Sequence, residues 1–372
     1  MRVAYVSVAT PLLRRSWSGI PWYSLKAIER RFSDVHVVDT PLLDRMVEKL
    51  AAVEHVSVAI RRNPLVSRLY RNSINAALEE IQPDVVVGVA AAHKLAFVDP
   101  KWPIVYASDA LFGTVVNYYT KYRIYNRRTK ARGEEVQRSL LSHTDRILLA
   151  SEWAQQDAMR RYGLSEEVVG VAPMGANIDA VPEFTPAPQT GPLRLIFVGY
   201  AWERKGGPLV LDILRELDRR TGGNVELHII GSRPKAALGL HNVVVHGMID
   251  KNDPVSYQRF VDLYQQAHFL MMPSRQEAYG IVYCESAAFG RPAVATVTGG
   301  VPTIVKDGET GMTLALDATP ADYATRILET WSDRTGYDAM CRAARQDFEE
   351  RLNWDCWSAR IAEAIDALLA TR

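Results

Sequence analysis

Phe269-Leu270-Met271-Met272-Pro273-Ser274-Arg275-Gln276-Glu277-Ala278-Tyr279-Gly280-Ile281-Val282-Tyr283-Cys284-Glu285-Ser286-Ala287-Ala288-Phe289-Gly290-Arg291-Pro292 is the stretch on which the fold turns. Its first four residues are apolar and read as a strand; a loop follows, and a helix opens near Gly280. Backbone N–H groups of Tyr279, Gly280 and Ile281 then sit at a helix N-terminus, where unsatisfied donors and the helix dipole favour a phosphate. Gly280 allows close approach. With that start, Glu285 falls about one to two turns into the helix and has two oxygens for a pair of sugar hydroxyls, whereas Glu277 points from the preceding loop. The two carboxylates serve different parts of one ligand. Cys284, between them, is expected to pack on the buried side of the helix as a small apolar residue.

Around this unit the same alternation repeats. Short Val- and Ile-rich runs at 2–9, 34–39, 84–90, 103–107 and 146–150 are separated by longer helical patterns. A second series follows at 193–198, 225–230, 243–245, 269–272, 293–295 and 312–314, with a helix over 208–220. Strands alternating with helices make a parallel, doubly wound sheet, so the expected class is α/β with two Rossmann-like domains. The length of 372 residues agrees with two domains. Between the series, residues 180–192 carry four prolines, which disfavour helix and central strand alike. The expected division is a first domain over 1–180, a linker over 181–192 and a second domain over 193–355. An amphipathic final helix, 356–372, packs back on one of them, and the pattern leaves open which. Ligands of open parallel sheets bind beyond the C-terminal strand ends, so the site is expected in a cleft where the two domains face each other.

Composition and missing motifs narrow the chemistry. Lys plus Arg number 44 against 43 Asp plus Glu, and 48% of residues are apolar, which argues against a nucleic-acid partner and against wholesale disorder. The three cysteines, Cys284, Cys341 and Cys356, are unsuited to a disulfide framework or a zinc ribbon. The start, Met1-Arg2-Val3-Ala4-Tyr5-Val6, reads as a strand rather than a signal peptide, and no run is long and apolar enough to span a membrane, so the cytoplasm is the expected setting. No G-x-G occurs for a dinucleotide, no Gly-Lys-Ser/Thr for a P-loop, and no G-x-S-x-G for a serine nucleophile. D-x-D and histidines four apart are also missing, so no metal or other cofactor is expected.

Two glutamates with seven residues between them after Pro-Ser, followed by Ala-x-x-Gly-x-Pro, resemble the retaining glycosyltransferases of family four, whose fold is GT-B. The similarity extends over much of the chain. Phe197-Val198-Gly199-Tyr200-Ala201-Trp202-Glu203-Arg204-Lys205-Gly206-Gly207 resembles that family's second motif. Val171-Ala172-Pro173-Met174-Gly175 resembles its interdomain turn, and Thr298-Gly299-Gly300-Val301-Pro302 its late Gly-rich loop. The resemblance implies that Glu285 holds the ribose hydroxyls, that Glu277 contacts the transferred sugar, and that Arg204 and Lys205 neutralise the departing diphosphate. Tyr279, Gly280, Ile281 and Gly199 complete the donor site. Charge neutralisation without metal is the physical theme.

The chain departs from the family pattern in three places. Tyr200 stands where many relatives have Arg, which leaves Arg204 to supply that charge. Asp109 stands at a strand end where relatives often carry His; it grips a sugar hydroxyl or, on the structural reading, caps a helix. The N-terminal Gly-Gly loop is reduced to Ser18-Gly19-Ile20-Pro21, with Gly19 as its one remaining contact. His93 is read as structural.

The implied activity is retaining, metal-independent transfer of a hexose-type sugar from a nucleotide-diphosphate sugar, UDP being the family's commoner nucleotide. The hydroxyl acceptor belongs to a glycan, a lipid-linked molecule or a small molecule. The competing readings are a nucleotide-sugar epimerase and a non-catalytic nucleotide- or sugar-binding subunit, which an assay with donor alone separates. Residues 118–132 hold six basic side chains, no acidic ones and four tyrosines. They read equally as a solvated helix face or as a surface for an anionic acceptor, a lipid headgroup surface or nucleic acid. Arg61, Arg62, Arg68 and Arg71, without acids nearby in sequence, add to that charge.

Overall fold

The computed structural model describes residues 1–14, 16–50 and 54–371. The chain divides into two compact units, Met1–Met174 with Trp354–Arg372, and Gly175–Asn353. Arg372, the end of the expected final helix, lies outside the described residues.

The first unit is built on β1 (Arg2–Ser7), β2 (Asp34–Val37), β3 (Val85–Val89), β4 (Ile104–Ser108), β5 (Arg146–Leu149) and β6 (Val169–Val171). The strands are all parallel, in the order β2-β1-β3-β4-β5-β6. Helices cover both faces of a parallel sheet, which is why β3 and β4 are buried at every position and read as unbroken apolar runs. The sequence pattern did not show β6: three residues are too short for a periodicity, and the strand exists through pairing with β5.

The second unit repeats the plan with β7 (Leu193–Val198), β8 (Val225–Ile230), β9 (Val243–Gly247), β10 (Phe269–Met272), β11 (Ala293–Thr296) and β12 (Gly311–Leu314). Its order is β12-β11-β10-β7-β8-β9, again parallel. The order reverses between β7 and β10, and at such a switch point the loops after the two strands diverge and leave a crevice. The loops here are 199–206 and 273–280, the two carrying the motifs. The chain is α/β, and the GT-B fold class applies to it.

The expected linker at 181–192 lies inside the second unit. Arginines tie it down: Arg291 Nη1 donates to the Thr185 carbonyl (3.0 Å), Arg345 Nη1 to that of Pro182 (2.8 Å), and His268 Nε2 is 2.8 Å from that of Pro188. Prolines remove backbone donors from the segment, but its carbonyls remain to be bound by distant side chains. The final helix, Trp354–Leu369, belongs to the first unit. Arg30 reaches Asp355 Oδ1 through Nε (3.0 Å) and Nη2 (2.7 Å), and Arg31 Nη2 donates to the Asp355 carbonyl (3.1 Å).

Candidate active site

Gly206 and Gly280 let the two motif loops of the second unit meet. At Gly206 the backbone is left-handed (φ 80°), and a Cβ there would lie 2.1 Å from the Pro273 carbonyl oxygen. Only glycine allows this approach. The contact is secured by Arg275 N donating to the Arg204 carbonyl (2.8 Å). Gly280 (φ 96°) caps the helix Ile281–Ala288, and a Cβ there would meet the Tyr283 ring at 2.6 Å. The amides of Tyr279, Gly280 and Ile281 therefore lead into a helix whose first N–H groups lack intrahelical acceptors.

Three charges converge on the joined loops. Glu277 Oε2 accepts from Arg204 Nη1 (3.2 Å), Lys205 Nζ (3.1 Å) and Ser274 Oγ (3.4 Å). Arg204 Nη1 also donates to the Gln276 carbonyl (2.6 Å). The Glu277 side chain is 8% exposed, Lys205 12% and Arg204 26%. Burial alone would raise the Glu277 pKa, but the two cations outweigh it and hold the carboxyl below its usual range. Two positive charges thus share one carboxylate, which leaves the cluster with net positive charge beside a helix N-terminus. An anionic group with several oxygens matches that arrangement.

Gly199, at the end of β7, packs against the Lys205 stem: a Cβ would lie 2.3 Å from Lys205 Cδ. Tyr200 is 68% exposed, so the cation beside Glu277 next to Lys205 is that of Arg204. Glu285 lies in the second turn of its helix, buried, and its Oε1 accepts from Lys251 Nζ (2.7 Å). Lys251 also donates to the Asn177 carbonyl (3.1 Å) and sits 4.1 Å over the Phe260 ring. The sequence reading missed Lys251. It stands in a loop 34 residues before Glu285, with no local signature, and a cation–carboxylate pair formed through the fold leaves no spacing to read. Cys284 is fully buried and its thiol is pushed up to about 12 by burial, which makes it inert packing.

Asp109 and Gly19 belong to the first unit. Asp109 Oδ1 accepts from Ala110 N (2.9 Å) and Ser108 Oγ (3.2 Å) just past β4, whereas the cap of the following helix, Phe112–Tyr118, is Leu111. The N-cap reading of Asp109 is thus corrected: its carboxylate braces the turn two residues earlier. Gly19 (φ 88°) caps the Ile20–Arg31 helix after two residues that also have positive φ, Trp17 (44°) and Ser18 (57°). Such a run of left-handed non-glycine residues is strained and persists only where the surrounding structure holds it. His93 is buried edge-on to Tyr70, and burial holds it neutral. The arginines read as uncompensated are corrected in two cases. Arg61 lies 3.9 Å from Glu48 and Arg68 lies 3.5 Å from Glu135, acids brought near by packing rather than by sequence.

Comparison with known proteins agrees with this architecture. A family model described as Glycosyltransferase Family 4 matches residues 23–180, and one described as Glycosyl transferases group 1 matches residues 192–333. D-inositol 3-phosphate glycosyltransferase of Streptomyces bingchenggensis is 28% identical over 253 residues, 62% of this chain and 54% of that protein. The chain spans about half the length of the curated relatives it matches. A glycosyltransferase from Rickettsia africae superposes with a TM-score of 0.68 at 14% identity, covering 99% of this chain and 98% of that one. HepE of Anabaena, solved with UDP and glucose, gives 0.66 at 14% identity, covering 98% and 99%. With its two halves matched in order by the paired models of one family, the chain belongs to glycosyltransferase family 4, group 1.

Proposed function

We propose that this protein is a retaining, metal-independent glycosyltransferase that moves a hexose-type sugar from a nucleotide-diphosphate sugar to a hydroxyl acceptor. One observation carries the reading: Arg204 and Lys205 meet on Glu277 Oε2, at 3.2 and 3.1 Å, beside the helix N-terminus at Gly280. In the free protein Glu277 keeps both cations in place. A diphosphate entering the crevice takes them over, and the charge that develops as it leaves is met by two fixed cations and backbone N–H groups rather than by water. Glu277 is then released toward the sugar, and the acceptor attacks the face the diphosphate departs from, its proton passing to a donor phosphate oxygen. Glu285 receives the ribose hydroxyls, with Lys251 fixing its orientation from Oε1. The solved HepE complex makes UDP-glucose the first donor to try, and the name of the Streptomyces relative makes an inositol phosphate the first acceptor.

Calorimetric titration with UDP, GDP and ADP, with and without chelator, tests the donor half on wild type and Glu285→Ala. One nucleotide binding without metal, and binding lost in the variant, supports the reading; no binding of any of the three would overturn it. UDP release from donor alone, without acceptor and with an altered sugar, would favour an epimerase, and binding without any turnover a non-catalytic subunit.

A further inference from the structure

The Pro41–Lys49 helix is amphipathic in the wrong sense for a helix facing only water. Its inward face holds Val47 and Asp44, and Asp44 accepts from Tyr70 Oη (2.9 Å) and Lys94 Nζ (2.8 Å). Its outward face carries Leu42 (78% exposed), Met46 (39%) and Leu50 (63%). These lie at i, i+4 and i+8, and the exposed Arg45 and Lys49 fall on the same stripe. Apolar side chains aligned on a solvent face, with cations among them, mark a surface that meets something other than water.

A second anomaly adjoins it. The Arg127–Leu141 helix begins with Arg127, Arg128 and Lys130 and has no acid in its first turn, so its cations sit at the positive end of the helix dipole. That placement is unfavourable for the helix itself and favourable for an external anion. Just before it, Tyr122 and Tyr125 turn inward with Phe112 and Val116, which tips Lys121, Arg123 and Ile124 (65% exposed) outward. Val58 and Ala59 of the Glu54–Arg61 helix pack on that aromatic cluster, and the same helix contacts the Pro41–Lys49 helix. Leucine stripe and basic loop are therefore linked through the Glu54–Arg61 helix within the first unit.

We propose that the stripe and the basic loop together form a docking surface for a lipid bilayer with anionic headgroups. Leu42, Met46, Leu50 and Ile124 enter the boundary between headgroups and acyl chains, and the surrounding lysines and arginines meet the lipid phosphates. Charge decides between the occupants: a second copy would bring like-charged faces together, whereas an anionic bilayer is complementary to cations and apolar side chains at once. No helix among the described residues is long and apolar enough to cross a membrane, so the contact is peripheral. It is independent of the donor chemistry proposed above.

The test is sedimentation of the full chain with vesicles of phosphatidylcholine alone, or containing about one-third phosphatidylglycerol, at low and high salt. Each basic residue near such a surface contributes about fivefold in partitioning, and salt screens it over roughly a Debye length. Wild type is expected to bind the anionic vesicles only, and less at high salt. The variants Leu42→Gln/Met46→Gln/Leu50→Gln and Arg123→Glu/Arg127→Glu/Arg128→Glu are each expected to bind at least about tenfold more weakly, with unchanged UDP affinity and circular dichroism. Absence of wild-type binding at low salt overturns the proposal, as does equal binding to neutral vesicles or wild-type binding by either variant. So does a solution dimer that the glutamine variant dissolves while vesicle binding is absent. UDP titration of the same samples keeps a failed docking surface distinct from a failed donor site.

Discussion

Replacing Lys205 with Ala removes one of the two cations that meet on Glu277. At 3.1 Å and an effective dielectric near 20, a unit charge pair attracts by about 5 kcal/mol before desolvation is subtracted. Arg204, at 3.2 Å, retains a comparable share. A departing diphosphate gains charge as its bond to the sugar breaks, so the missing cation is felt more in the transition state than in the bound donor. Loss of one fixed donor to such a developing anion costs about 3 kcal/mol, on the order of a hundredfold in kcat. The assay is continuous detection of UDP release from UDP-glucose with a panel of acceptors, separating kcat from KM, with UDP affinity from calorimetry. Urea unfolding checks stability, because Glu277 remains buried with one partner instead of two. A variant whose turnover stays within a few fold of wild type would refute the reasoning. So would a loss confined to donor affinity, which would make Lys205 a binder of ground state and transition state alike.

Four further outcomes are expected. Lys251→Met leaves Glu285 buried without its cation, and UDP affinity should fall by about tenfold or more while Lys251→Arg retains part of it; equal affinity in all three proteins would remove Lys251 from the site. Gly206→Ala places a Cβ against the Pro273 carbonyl in a left-handed backbone, so urea unfolding should show a loss of about 1–3 kcal/mol together with weakened UDP binding. His268 is held neutral down to about 4, mainly by burial, while its unfolded counterpart takes up a proton near 6.5. The unfolded chain binds the extra proton between those values, so stability falls as pH drops through that window, by at most about 3 kcal/mol, and His268→Gln should flatten the slope. Chelator should leave UDP release unchanged; a dependence on added divalent cation would contradict charge neutralisation by Arg204 and Lys205.

Some of this was legible before any coordinates. Strands β3, β4 and β10 are covered on both faces, so their runs are buried throughout and stand out from the helical patterns around them. The two motif loops were readable because glycine and proline mark places where backbone geometry is unusual, and Gly206 and Gly280 both have positive φ. Strand β6 was not legible, since three residues carry no period. The proline-rich 181–192 stretch looked like a linker because its own backbone makes no regular structure, while the arginines that hold it lie about a hundred and more residues away. Asp109 admitted two readings, a grip on a sugar hydroxyl and a helix cap, and the second fails because the helix starts later and its cap is Leu111.

The sequence by itself determined the α/β class, the repetition of the plan and the loop-to-helix units that present Glu277, Glu285 and the amides near Gly280. Those depend on local properties: apolar periodicity, glycine conformations and helix starts lie within a few residues of one another. Only the tertiary structure decided which charges meet. It set Arg204 and Lys205 on a single carboxylate oxygen 73 and 72 residues away, brought Lys251 to Glu285, and gave the final helix to the first unit. It also turned Leu42, Met46 and Leu50 outward. Pairings between distant side chains depend on strand order and on which helix face is buried. Those are set by the packing of the whole unit, and no short stretch of sequence encodes them.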